Sequence, residues 1–582
     1  MKKYLGCSPK YNWFIEEVDI EKLFDLIDKW HLPIPIGMTL FKRGVLTSHD
    51  LNTFFNTPLQ SLRNPFHMKD MEKAVRRVYE AIIAKEKICI YGDYDVDGVT
   101  STALIYLFLK ELGANVIYYI PNRLEEGYGL NIEAIDELKI KNISLLITVD
   151  CGITAIREIE YAKTCGIDVI ITDHHKPLDE LPSAYSILNP MREDDEYEFK
   201  GLSGVGVAFK FIMAMRYFLS INNFFKDKIP NLKKYLDIVA LGTIADVVPM
   251  VDENRIFVKH GLKILSNRDV RIGLNELKRV TGLLNTNIEV SHVGYVLAPR
   301  INAVGRLGES DRGVRLLITK NKNEARWLAE ELDIENRYRQ EMERRILSDS
   351  FNKIERLGLA QRFSGIVLYS DRWHPGIIGI VASRVAEKYN KPAIVISLEE
   401  GIGKGSARSI ADFHLYNCLK EISDLFLKFG GHKYAVGIQL YEQNIKVLQR
   451  RFDEVVKKYR RANDQHPELM IDAIVNPKDI NMDLMNWLER MKPFGQGNQE
   501  PLFCMRNVKK YQQFGFTGRD KSHLRGFIEK DRYVFEIVGY NMKEYQSYVK
   551  GYDTFDIVFT PEINQWFGDR SILLKLKDIK RV

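Results

Sequence analysis

Three apolar runs that each stop at a carboxylate constrain this chain more than any other feature. KICIYGDYDVDG from Lys87, SLLITVDCG from Ser144 and DVIITDHH from Asp168 read as buried strands, with helix-like segments between them. Helix-spaced apolar positions over 71–84 lead into the first run, and NVIYYI at 115–120 supplies a further strand. Strands alternating with helices predict a parallel α/β sheet, because parallel neighbours require a long crossover that a helix usually provides. In such sheets the chemistry gathers at the carboxyl ends of the strands, where these runs place Asp or Asp-His-His.

A chain of 582 residues exceeds the usual ~100 to 200 residues of one domain, so several cores are expected. Residues 1–75 read as an amphipathic lead-in packing on the core, and 76–320 as the α/β domain. Over 321–358 the text is charged, rich in helix formers and free of Gly and Pro up to its last residues, which predicts one long connecting helix. SGIVLYS, KPAIVIS, GIGKGSARSI and FGGHKYAVG describe a second α/β unit over 359–460. RRANDQHPE reads as a linker. Residues 466–582 carry short alternating strands such as RYVFEIVGY and SILLKLKDI, which predict a small β-barrel or sandwich.

In GDYDVDG, Asp93, Asp95 and Asp97 stand at every second position directly after a buried strand. Carboxylates so close resist joint ionisation unless a cation neutralises them. A solvated acidic turn is the bland alternative. An EF-hand is excluded, because its twelfth loop position requires Glu and Leu104 stands there. Asp150 and the trio Asp173, His174 and His175 end their own strands, and Asp246 lies inside the apolar stretch ALGTIADVVPM, where an unpaired carboxylate is costly to bury. Several carboxylates with one or two imidazoles suit a pair of divalent cations, Mn²⁺ better than Zn²⁺, with Mg²⁺ as the other candidate. Two such ions can activate a water for in-line phosphoryl displacement, so phosphoester hydrolysis is the implied reaction.

The order DYDVDG, TVDCGI, DHH and ADVVPM resembles the DHH phosphoesterase family, and GGHKYAVG resembles the signature of its DHH-associated domain. The family includes RecJ-type nucleases, oligoribonucleases, cyclic-dinucleotide phosphodiesterases and manganese pyrophosphatases. Motif and domain order from about residue 40 onward are most similar to the RecJ branch, whose C-terminal appendage is an oligonucleotide-binding barrel. The resemblance implies that Asp95, Asp97, Asp150, His174 and Asp246 are metal ligands, with Asp150 bridging and Asp93 a further candidate. Where the pyrophosphatase branch has a histidine four residues before the second carboxylate, this chain has Tyr91. It also implies that His175 faces the scissile phosphate and that Asp173 orients the imidazoles.

A nuclease also needs cations for the phosphates it does not cut, and guanidinium suits bidentate contact. By the same resemblance Arg123 of PNRLEEGYG with Ser406 and Arg408 of GSARS form a pocket for a 5′-terminal phosphate. Asn302 and Arg306 stand near the scissile phosphate, and Gly431 and His432 contact backbone phosphates. Arg300 is a further phosphate candidate and Tyr128 a base-stacking one, although a lone arginine is usually ordinary surface and an aromatic usually core. Lys, Arg, Tyr and Phe interleaved in KKYQQFGFTGRDKSHLRGF would give the barrel a basic groove, a charged barrel surface being the alternative.

The expectation is therefore a metal-dependent exodeoxyribonuclease that cuts single-stranded DNA from the 5′ end to mononucleotides, in repair and recombination, with the strand threaded between the two α/β domains. A helicase and a single-strand-binding protein are the expected partners, and a monomer the expected state. The runner-up is a phosphodiesterase for short RNA or signalling dinucleotides; from another class, an inactive single-strand-binding replication scaffold would show eroded acidic motifs, which this chain lacks. The formal charge of +6 is too small over this length to identify a polyanionic partner by itself. Six scattered cysteines without a CxxC pair suggest neither a zinc cluster nor a disulfide framework, and fit a reducing, cytoplasmic setting. No apolar run approaches the ~20 residues of a membrane span, so none is expected.

Overall fold

The computed structural model describes residues 2–122, 126–127, 129–226, 228–268, 270–307, 311–411, 413–460, 466–518, 521–566 and 569–582, without the side chains of 304, 306, 307, 565, 566 and 569. The chain forms two compact units, one of Thr57–Arg344 with Pro493–Asn498, the other of Met1–Asn56, Arg345–Lys492 and Gln499–Val582.

The first unit is built on five parallel strands: β1 (Lys87–Gly92), β2 (Asn115–Tyr119), β3 (Leu145–Val149), β4 (Asp168–Thr172) and β5 (Ser186–Leu188), in spatial order β2-β1-β3-β4-β5. Side chains of a strand alternate between faces, so β1 sends Ile88 and Ile90 into one core and Cys89 and Tyr91 into another. Burial on both faces explains why the runs are continuously apolar rather than alternating. The larger core is closed by helices α1 (Met71–Ile83), α2 (Val96–Glu111), α3 (Gly204–Ile221) and α4 (Leu236–Ala245). Helix α3 is long and apolar enough to cross a membrane by length and composition, and 67% of it is buried inside this fold. It carries a fully buried Lys210, whose ammonium donates to Glu253 Oε1 and to the Arg63 carbonyl, each at 2.7 Å.

Helix α5 (Ala298–Leu307) and the 35-residue α6 (Lys322–Arg356) follow, and the division between the units falls inside α6. In the second unit a five-stranded sheet carries Ile366–Ser370 parallel to Ala393–Glu399, and then Ile402–Arg408, Ala435–Tyr441 and Lys428–Gly431 antiparallel in turn. Beyond it, Phe503–Lys510, Thr554–Trp566, Asp569–Arg581, Tyr533–Gly539 and His523–Lys530 pair in succession, and the last pairs back with the first. That ring of five strands is a closed barrel, of the kind expected for residues 466–582.

The N-terminal hairpin Lys2–Cys7/Asn12–Glu16 lies in this second unit, pairing parallel with Glu468–Ile471. Trp13 is fully buried against Leu469, Ile471, Cys504 and Val558, and its indole Nε1 donates to Asp578 at 2.6 Å. Residues at opposite ends of the chain thus share one core.

Candidate active site

Register explains why the acidic residues meet. Gly92 of β1 pairs with Val149 of β3, which pairs with Thr172 of β4, so Asp93, Asp150 and Asp173 leave three neighbouring strands at the same level. The chain runs from β1 outward to β2 and then returns to place β3 on the other side of β1. The strand order therefore reverses here, and α/β sheets open a crevice at such a point. Asp95 caps α2, accepting from the amides of Asp97 at 2.9 Å and Gly98 at 3.1 Å. A Cβ on Gly98 would lie 2.5–2.7 Å from the Asp93 backbone, so only glycine lets the helix start this close to the strand end.

The amino end of α3 closes the site from above the sheet. Gly204 and Val205 donate their amides to the two oxygens of Asp97 at 2.6 and 2.9 Å. A Cβ on Gly204 would come within 2.8 Å of Asp150 Oδ1. Asp246 caps the carboxyl end of α4. His174 Nε2 is buried, makes no hydrogen bond among the described residues, and has carboxylate oxygens of Asp150, Asp246 and Asp97 at 3.1, 3.6 and 3.8 Å.

These donors fall into sets whose ligand atoms lie within 4.8 Å of one another: Asp93, Asp95 and Asp150; Asp97, His174 and Asp246; and Asp150, His174 and His175. The first two share no residue, so the site offers separate three-ligand cradles for two cations, with Asp150 also reaching the histidine pair. The electrostatics agree. Burial and then the neighbouring Asp95 push Asp97 up to about 7. Burial and Asp97 push Asp246 up to about 9 and Asp150 well above the carboxylate range. Burial and the adjacent His175 lower His174 to about 4, leaving a neutral imidazole, the form that binds metal. Crowded buried carboxylates around a neutral imidazole fit divalent cations, whose charge relieves the repulsion.

This crowding makes the metal-free protein sensitive to pH. Between pH 6.5 and 9 the unfolded chain has released the protons of Asp97 and Asp246, whereas the folded chain still holds them until about 7 and 9. The folded state binds more protons there, so its stability falls as pH rises. His175, raised to about 9, acts in the same direction, and His174 is neutral in both states. In chelator the melting temperature is expected to drop from pH 6.5 to 9, and saturating Mn²⁺ to flatten the drop. Calorimetry checks this, and a chelated melting temperature that rises over the window contradicts it.

The remaining candidates divide by position. Against the opposing effect of burial, the hydrogen bond from Asp173 raises His175 to about 9. Asp173 Oδ1 accepts from His175 Nδ1 at 2.8 Å and from both histidine amides, and its Oδ2 accepts from the Ile153 amide at 3.0 Å. Asn302 of α5 accepts the Val96 amide at 3.0 Å, reaching the start of α2. The Tyr91 hydroxyl donates to the Gly129 carbonyl at 2.9 Å, and its ring stacks on Tyr119. Arg300 pairs with Asp333 at 2.9 Å and also donates to the Val296 carbonyl. Arg123 and Tyr128 lie outside the described residues, as does the side chain of Arg306 on α5.

In the second unit Ser406 and Arg408 lie two residues apart on a central strand. An ideal Cβ on Gly379 would sit 2.9 Å from the Arg408 guanidinium and 3.2 Å from Ser406 Oγ. Both groups therefore converge on a hollow at the amino end of helix Ile378–Tyr389, where glycine leaves room. Sequence reading missed Gly379; the one available signal was the glycine in PGIIG ahead of an amphipathic helix. Gly431 and His432 are exposed at the turn after Lys428–Gly431, with the His432 amide bonded to the Ala435 carbonyl.

A parallel sheet whose switch point carries Asp-x-Asp-x-Asp, a single Asp and Asp-His-His defines the DHH class, and residues 87–243 match the model of the DHH family, N-terminal domain. Residues 363–458 match the DHHA1 domain and 471–578 the RecJ OB domain. The chain belongs to the RecJ family. It is 37% identical over 573 residues to the single-stranded-DNA-specific exonuclease RecJ of Bacillus subtilis, covering 98% of this chain and 71% of the relative. To the exonuclease of the same name from Escherichia coli it is 36% identical, covering 94% and 96%. Its fold is similar to that of RecJ from Thermus thermophilus, solved in complex with Mn²⁺, with a TM-score of 0.83 at 27% identity over 98% of this chain and 79% of that one.

Proposed function

We infer that this chain is a single-stranded-DNA-specific exonuclease that hydrolyses phosphodiester bonds with a pair of divalent cations, Mn²⁺ first and Mg²⁺ as the alternative. The observation that carries the reading is the pair of separate ligand sets meeting at the strand ends. Asp93 and Asp95 hold one cation, Asp97, His174 and Asp246 the other, and Asp150 stands between them. When bound, the two ions lower the pKa of a water and neutralise charge on the scissile phosphate. Asp173 occupies His175 Nδ1, which leaves Nε2 available to a phosphate oxygen. Asn302 fixes the start of α2 and with it Asp95 and Asp97. Arg306, one helical turn further along α5, supplies a cation to the scissile phosphate.

The polarity is 5′ to 3′ in this reading. Ser406 and Arg408, with the amino end of the helix behind Gly379, grip a terminal 5′-phosphate, a combination of guanidinium, hydroxyl and helix dipole suited to an anion. Arg123 serves the same end, and Gly431 and His432 meet backbone phosphates. On the barrel, the Tyr511 amide bonds to the Phe527 carbonyl, and both rings are exposed for stacking. Such an enzyme acts on strands opened by a helicase and covered by a single-strand-binding protein, as a monomer.

The test is Mn²⁺-dependent digestion of single strands labelled at either end, with and without a 5′-phosphate, beside duplex and RNA controls. Mononucleotides should leave the 5′ end of single-stranded DNA, faster when it is phosphorylated. Gly379→Ala, which fills the hollow, should cut the preference for 5′-phosphate about tenfold. Release from the 3′ end overturns the polarity, and activity confined to very short RNA or dinucleotides moves the chain to the phosphodiesterase reading.

A further inference from the structure

Val247 follows the metal-site residue Asp246 and has φ +59°. It occupies the position after the carboxyl cap of α4, where the left-handed conformation is usual and glycine is the usual residue. A β-branched side chain is strained there. The surroundings enforce the conformation: the Asp246 amide bonds back to the Gly242 carbonyl, and the segment that follows is pinned by Asn254 on the Pro249 carbonyl and by the Met250 amide on the Gln496 carbonyl. Pro249 also holds Val248 out of the helical region. Yet the Val247 side chain is 67% exposed, so packing within the protein does not repay the strain. Two bare methyl groups are held at the rim of the metal centre, beside a carboxylate 3.6 Å from His174.

We propose that Val247 determines sugar selectivity, a proposal that rests on the exonuclease reading above. In a hydrolysis that expels the 3′ oxygen, C2′ of the departing nucleotide is bonded to the carbon that carries the leaving group. Whatever borders the centre on that side borders the 2′ position. Against Val247 a deoxyribose methylene makes apolar contact, whereas a 2′-hydroxyl loses water without gaining a partner, which disfavours RNA. Strain kept at an exposed position next to the chemistry is the pattern of a functional residue.

The experiment compares kcat/KM on matched 5′-phosphorylated DNA and RNA strands for wild type, Val247→Gly and Val247→Asn, with melting temperature and Mn²⁺ binding by calorimetry. Both substitutions relieve the backbone and should raise the melting temperature by about 2 °C. Mn²⁺ binding should persist, while the DNA-to-RNA ratio falls about tenfold or more. A ratio unmoved by either substitution, or equal losses on both strands, overturns the proposal while leaving the exonuclease reading standing. A wild type that cuts neither strand overturns both.

Discussion

Asp150→Asn is expected to abolish metal-dependent hydrolysis of single-stranded DNA, lowering kcat by at least ~10³-fold, while raising the melting temperature measured in chelator. Asparagine is the informative replacement because Asp150 has φ +59°, which Asn tolerates and Ala does not, and because its amide still donates to the Thr172 carbonyl at 2.9 Å. The substitution keeps the shape of the carboxylate and removes its charge. Activity should fall because, among the described residues, Asp150 is the carboxylate that reaches both Asp93 with Asp95 and the histidine pair. Stability should rise because burial and the repulsion of Asp97, Asp95, Asp246 and Asp93 already oppose ionisation there. Opposite signs for activity and stability identify a residue kept for chemistry rather than for folding. Loss of activity together with a lower chelated melting temperature would instead make Asp150 a structural residue.

Lys210→Met should destabilise the Thr57–Arg344 unit by about 3–5 kcal/mol, the cost of leaving a buried charge without its partner. Lys210 and Glu253 are both fully buried, and Glu253 also accepts from the Arg63 amide at 2.9 Å and from the Tyr197 hydroxyl. Methionine matches the volume of the lysine stem, so the loss would come from the uncompensated carboxylate and not from a cavity. Adding Glu253→Gln removes that charge and should restore a large part of the stability. Thermal unfolding of the single and double variants measures the difference; a double variant no more stable than Lys210→Met would show that packing, not charge, sets the cost.

How much of this was legible follows from the range of the interactions. Strand-end carboxylates can be read because a buried parallel strand is a local pattern, and the sheet architecture assigns chemistry to one end of it. Asp93, Asp150 and Asp173 were found in this way, and the register Gly92–Val149–Thr172 levels them. The long helix was legible for the same reason: the charged text without Gly or Pro became Lys322–Arg356. The cationic candidates were less legible, since an arginine carries no local sign of its partner. Arg300 is engaged with Asp333, a contact across 33 residues.

The sequence by itself determined the elements, the sheet type, the acidic and histidine residues of the site and the barrel at the carboxyl end, because each depends on periodicity and composition within a few residues. Tertiary structure alone decided that the amino end of α3 clamps Asp97, that Gly379 leaves a hollow under Ser406 and Arg408, that Val247 is held in a strained turn, and that Trp13 is bonded to Asp578 across 565 residues. Those contacts join segments remote in the chain, and their energies depend on burial and approach distances that exist only once the chain has folded.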